Sequence, residues 1–138
     1  MIWLFKEEPT HYSYFDLEKD GSTAWSGVKN PLAQKHLRAV KRGDRILYYH
    51  TGKEKAIVGV ARAACHAYRD PKDRAGRQYV VDGEPVRRLA RPVSLAEIKG
   101  QRLFASFPLV RISRLSVMPV SAREWAAIEK MARSLPGR

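Results

Sequence analysis

RILYYHTGKEKAIVGVARAA, residues 45–64, is the stretch whose reading decides the fold. Arg45 to His50 is a run of branched and aromatic side chains, and Ala56 to about Ala64 is a second run rich in Val and Ala. Thr51-Gly52-Lys53 supplies the turn between them, so the pair predicts a β-hairpin. Successive strand residues point to opposite faces. Ile46, Tyr48 and His50 therefore share one face, Leu47 and Tyr49 the other, and only part of this aromatic cluster can front a ligand.

Working outward, Ile2 to Phe5 reads as a short buried strand. Ser13 with Asp16 marks a helix start, and Asp20-Gly21 ends that helix. Asn30-Pro31 marks another, with Asn as cap and Pro at the first helical position. Leu32, Ala33, Leu37 and Val40 make an apolar stripe, with Gln34, Lys35, Arg38 and Lys41 expected outside, and Gly43-Asp44 closes the segment. Residues 69–76 form a polar loop. Gln78–Asp82 and Val86–Leu89 read as two short strands interrupted by Gly83-Glu84-Pro85. Ser94 with Glu97 and Ser121 with Glu124 match the S-x-x-E capping box. The second opens a terminal amphipathic helix with Trp125, Ile128, Ala132 and Leu135 on one face. Strands with short helices around them predict one α+β domain over residues 1–138, a small mixed barrel with a C-terminal helix.

The chain is 44% hydrophobic and 29% charged, a globular rather than a disordered composition. The single cysteine, Cys65, excludes an internal disulfide and any multi-cysteine zinc site, and at the end of an apolar strand it reads as packing. The apolar run Met1 to Phe5 stops at Lys6-Glu7-Glu8, so neither a signal peptide nor a membrane span is expected, and a reducing, cytoplasmic setting is. Net charge is +12. Residues 1–40 carry five basic and five acidic groups, so the whole excess lies after residue 40. Such asymmetry suits a polyanion partner as well as simple solubility.

Enzyme signatures are missing. Gly27, Gly43, Gly52 and Gly59 are too far apart for a nucleotide loop, and His11, His36, His50 and His66 have no metal-ligand spacing. Neither cofactor nor metal is expected. Trp25-Ser26-Gly27-Val28-Lys29-Asn30 sets a large ring beside a Gly just before a helix N-terminus. That suits a planar ligand, with a ring to stack on, free N–H groups and an amide for edge recognition. An ordinary core Trp fits the same residues. His50 fits a hydrogen-bonded strand end as well as a ligand contact.

Four motifs in order resemble an EVE domain, a PUA-like family, over Ile2 to about Ile128. They are Ile2–Pro9 (IWLFKEEP), Trp25–Asn30 (WSGVKN), Gly43-Asp44 leading into Tyr48–Thr51 (YYHT), and Leu109–Val120 (LVRISRLSVMPV) with Glu124-Trp125. The resemblance implies a twisted mixed β-barrel with helices at its rim. It also implies a pocket that takes a base, of modified cytosine type, turned out of a DNA or RNA strand.

Carried over by motif, that pocket comprises Lys6, Glu8, Pro9, Trp25, Gly27, Val28, Asn30, Tyr49, His50, Leu115, Ser116 and Val117. Lys29, Arg38, Lys41, Arg42, Lys53, Lys55, Arg111 and Arg114 are the candidates for holding the nucleic-acid backbone. The expected protein is a non-catalytic, monomeric reader with no membrane partner. The alternatives are a hydrolase acting on a modified base or nucleoside through Lys6, Glu8 or His50, and a pocket for a free small molecule. The chain departs from the family pattern at Glu7, where Ser is usual, and at Lys29, where Arg is usual. It departs again at Pro31-Leu32-Ala33-Gln34, and Gly83-Glu84 suggests a bulge or a tighter hairpin.

Overall fold

Strand β1 (Ile2–Glu7) sits between two partners and alternates its side chains into apolar layers on both sides. The computed structural model describes residues 1–134. β1 runs parallel to β3 (Arg45–His50), from Ile2 beside Arg45 to Glu7 beside His50, and antiparallel to β7 (Val117–Val120). The crossover from β1 to β3 carries α1 (Tyr14–Asp20), β2 (Thr23–Trp25) and α2 (Pro31–Arg38). β3 turns back into β4 (Ala56–Ala63), the hairpin expected from residues 45–64. β4 pairs with β6 (Tyr79–Ser94), which also carries β2 and the short β5 (Tyr68–Arg69). The order is β2-β6-β4-β3-β1-β7. Helix α2 packs on both β6 and β7, bridging the margins of the curled sheet to leave a half-barrel.

All three serine caps form reciprocal capping boxes: Ser13 with Asp16 for α1, Ser94 with Glu97 for α3 (Leu95–Lys99), and Ser121 with Glu124 for α5 (Ala122–Arg133). Asn30 caps α2 by accepting from the Ala33 amide at 3.0 Å. On α5, Ile128, Met131 and Ala132 are buried and Trp125 is half-buried; Leu135 lies outside the described residues. Cys65 is partly buried against the core.

Several expectations are corrected. The predicted break at Gly83-Glu84-Pro85 is continuous strand, pairing with Ala63, Arg62 and Ala61. A bulge follows instead at Val86, between Pro85 and Arg87, and leaves that side chain half exposed. A larger irregularity sets Leu89–Pro92 against Val58 alone. Gln34, expected outside, is 4% exposed, whereas Leu32 of the supposed stripe is 40% exposed. β2, β7, the 3-10 turn Arg102–Phe104 and α4 (Pro108–Arg111) add elements unforeseen in the sequence; this turn and helix bring Phe104, Phe107 and Leu109 into the core.

Candidate functional site

Alternation along β1 determines the site. Trp3, Phe5 and Glu7 face one side, Leu4 and Lys6 the other, and β3 follows in register. On the first side, Phe5 and Tyr48 meet the Trp25 ring edge-on at 4.9 and 5.0 Å. Trp25 is 4% exposed, so most of its surface serves the core. Beyond it lies a hollow of about 240 Å³ lined by Glu7, His11, Tyr12, Thr23, Ala24, Trp25 and Ser26. Its walls are fixed by the Tyr12 hydroxyl donating to Asp20 at 2.8 Å and the Tyr48 hydroxyl donating to the Tyr12 carbonyl at 2.6 Å. Burial pushes the Glu7 carboxyl above the usual carboxylate range; the Glu8 amide, His11 and His50 pull it partly back. The Glu8 amide reaches Glu7 Oε1 at 3.2 Å.

On the other side of the sheet, Lys6, Tyr49, Thr51, Gly52, Lys55, Leu95, Lys99, Leu109, Val110 and Ser113 line a cleft of about 290 Å³. Lys6 Nζ donates to the Ser113 carbonyl at 2.8 Å and stands 5.7 Å over the Tyr49 ring. Burial lowers the Lys6 ammonium and raises the Tyr49 phenol relative to their usual ranges. Glu8 holds the hairpin turn, accepting from Thr51 Oγ1 at 3.2 Å and Thr10 Oγ1 at 3.4 Å. Gly52 takes φ +74°, a conformation that L side chains rarely adopt, and a Cβ there would lie 2.9 Å from that carboxylate. Lys55 takes the left-handed conformation at φ +45°. Among the described residues no carboxylate lies within 4.0 Å of Lys6, Lys53, Lys55, Lys99, Arg111 or Arg114.

The residues expected to share one pocket are thus distributed over both faces of the sheet. Lys6 and Tyr49 meet in the cleft; Trp25 lines the hollow. His50 is 7% exposed: Nε2 accepts from the Tyr14 amide and Nδ1 lies 3.0 Å from Glu54, a tautomer with the proton on Nδ1. With Pro9 it borders a third depression, against Tyr14 and Leu89. Leu115 and Val117 are core residues, and Ser116 contributes its carbonyl to the Lys6 amide. Gly27, at φ +77°, and Asn30 are exposed; Val28 is buried.

The cations divide as well. Lys53 and Lys55 lie on the β3–β4 turn, Arg111 and Arg114 bracket Ser113 in the chain, and Lys29 precedes Asn30. Lys41 and Arg42 adjoin Arg45, at the opposite end of β1 from Lys6, about 13 Å away at strand rise. Arg38 stands 5.2 Å over the Tyr79 ring.

Three contributors were missed. Gln34 donates to the Val28 carbonyl at 2.6 Å and accepts from the Tyr79 amide at 2.9 Å, holding the Trp25–Asn30 segment to β6. Glu7 stands out in the sequence only as a departure from the family pattern, although alternation sets it on the same strand face as Phe5. Lys99 carried no local signal, because only tertiary packing brings α3 to the cleft.

A family model described as EVE domain matches residues 1–131. Thymocyte nuclear protein 1 of Gallus gallus is 29% identical, covering 97% of this chain and 69% of its own. The NMR structure of Rpa0253 from Rhodopseudomonas palustris superposes with a TM-score of 0.90 at 41% identity, over 95% of this chain and 92% of that one. Human THYN1 in complex with 5-methylcytosine containing DNA also superposes at 0.90, with 27% identity over 98% and 99% of the two chains. Among the described residues no helix is long and apolar enough to cross a membrane.

Proposed function

The chain belongs to the EVE family, and from that premise we propose that it binds a nucleic-acid strand and seats one base, a modified cytosine, in the hollow beside Trp25. The observation that carries this reading is a division of labour in the structure. A small hollow with an uncommitted polar edge ends one face of β1, and a cleft bearing cations without carboxylate partners ends the other. The hollow is smaller than the roughly 300–1,000 Å³ of pockets for drug-sized ligands, a scale suited to a single base. Likeness to human THYN1, described in complex with 5-methylcytosine containing DNA, supports the same ligand class.

The energetics require both parts. Stacking contributes about 1–3 kcal/mol per base while unstacking costs a few, so base capture alone roughly breaks even. Affinity then comes from phosphate contacts made by Lys53, Lys55, Arg111 and Arg114, with Lys6 and Lys99 lining the cleft. The protein acts without catalysis: Lys6, Glu8 and His50, the candidates for a hydrolase, stand apart. Lys6 is bound to Ser113 across the sheet from Trp25, Glu8 is engaged by Thr10 and Thr51, and both ring nitrogens of His50 have partners.

Anisotropy titrations with matched DNA and RNA strands carrying 5-methylcytosine, cytosine or thymine at one position test the proposal. Preference for the modified strand supports it; equal affinity for all strands overturns base recognition. Equal binding of the free nucleoside and the strand would favour a small-molecule pocket instead.

A further inference from the structure

Glu7 ends β1 inside the hollow, and its main chain is fixed by the Thr51 amide donating to its carbonyl at 3.0 Å. Its side chain is far less committed. Among the described residues Oε1 accepts only the 3.2 Å contact from the Glu8 amide. Oε2 has no partner, and no cation lies within 4.0 Å of the carboxylate, among the described residues. A half-buried carboxyl with free hydrogen-bonding capacity, at the end of a small hollow that Trp25 helps to line, is placed to read the edge of a ring lying there. The groups around it are Glu8 and His11 on the following loop and His50 and Tyr48 on β3, with Tyr12, Thr23 and Ser26 lining the same hollow.

Resting on the proposed base-seating role, we infer that Glu7 recognises a cytosine-type base through its N3 and N4 atoms, sharing one proton with N3 and accepting from the N4 amine. Cytosine presents an amine donor beside a ring-nitrogen acceptor, and a carboxylic acid presents a hydroxyl donor beside a carbonyl acceptor. The two edges match in two parallel hydrogen bonds, and binding takes up one proton. An ionised carboxylate would keep only the N4 bond and would oppose its second oxygen to the N3 lone pair. Thymine offers N3–H between two carbonyls, of which O4 is a far weaker base than cytosine N3, so its pairing with the acid is poorer. The burial that raises the Glu7 carboxyl favours holding this proton.

The probe is a fluorescein-labelled single strand with one 5-methylcytosine, titrated by anisotropy between pH 8 and pH 6, with cytosine and thymine strands in parallel. Wild-type affinity for both cytosine strands rises as pH falls, approaching about tenfold per pH unit while one proton is taken up. Thymine shows a smaller rise. Glu7→Gln presents the same donor and acceptor without a titrating proton, so it keeps affinity and loses most of the pH dependence. Glu7→Ala loses roughly 5- to 150-fold, the range for one bidentate base contact. His11→Ala keeps the pH dependence. Melting curves establish that each variant is folded.

A flat wild-type profile, a Glu7→Gln profile as steep as wild type, or undiminished binding by Glu7→Ala overturns the assignment. Loss of the pH dependence in His11→Ala would transfer it to that histidine and overturn it too. Cytosine preference that survives Glu7→Ala defeats this inference alone. Absence of any base preference in wild type, at every pH, defeats the underlying reading.

Discussion

Trp25→Ala separates the two roles open to that residue, because the structure makes its main contribution structural. The ring is 4% exposed and lies edge-on to Phe5 and Tyr48 at 4.9 and 5.0 Å. Truncating a buried Trp to Ala costs about 3–5 kcal/mol, and two aromatic contacts each worth about 0.5–1.5 kcal/mol place this site toward the upper end. Against a total stability of about 5–15 kcal/mol, that is a large fraction. For a chain of this size it lowers the melting temperature by about 10–20 °C. Urea unfolding followed by circular dichroism measures the change, and Trp25→Phe, which retains a ring against Phe5 and Tyr48, recovers more than half of it. Trp25→Ala within 1 kcal/mol of wild type would refute the core assignment and make the ring chiefly a ligand surface.

Gly59→Ala brings a Cβ to 2.5 Å from the Tyr14 ring, which is held by its hydroxyl donating to the Val60 carbonyl at 2.7 Å. It should destabilise by about 1–3 kcal/mol in thermal melts, with the loss largely relieved in a Tyr14→Ala background. Gln34→Ala strands the Val28 carbonyl and the Tyr79 amide; a loss of about 1–3 kcal/mol and faster hydrogen exchange at Tyr79 are expected. Arg91 beside Glu97 holds that carboxyl down to about 2 from 4.5. Because the folded value is the lower one, this contribution is complete above pH 4.5 and is lost as pH falls toward 2. Glu97→Gln should flatten that part of the acid unfolding profile. In salt titrations on single strands, three to five phosphate contacts give a log–log slope of about −2 to −4. Lys55→Ala and Lys99→Ala should each reduce its magnitude by about 0.7, whereas Lys41→Ala, at the opposite end of β1, should leave it unchanged.

The caps and the hairpin were legible because their signals are local. Ser13, Ser94, Ser121 and Asn30 each satisfy amides within three residues, and Thr51-Gly52 sits between two plainly apolar runs. Non-local pairings were not legible: nothing in Ile2–Glu7 specifies a parallel neighbour forty residues on. Gly83 and Pro85 read as a break because both residue types are depleted in strands, but the Val86 bulge accommodates Pro85. The stripe Leu32, Ala33, Leu37 and Val40 leaves Gln34 outside, whereas in the structure two backbone hydrogen-bond partners compensate its burial. For the candidate site, motifs name residues but not their arrangement. Lys6 and Glu7 are neighbours in sequence and fall on opposite faces, dividing the expected pocket into a hollow and a cleft.

The most direct test of base seating is the Trp25 indole N–H resonance, followed in nitrogen–proton correlation spectra. The titrants are two strands identical except that one carries 5-methylcytosine where the other has an abasic site. Base capture predicts that the Trp25 and Ser26 signals shift strongly with the first strand and little with the second, while signals from the Lys6–Lys99 cleft shift with both. Equal shifts at Trp25 with both strands, or changes confined to the cleft, would contradict it.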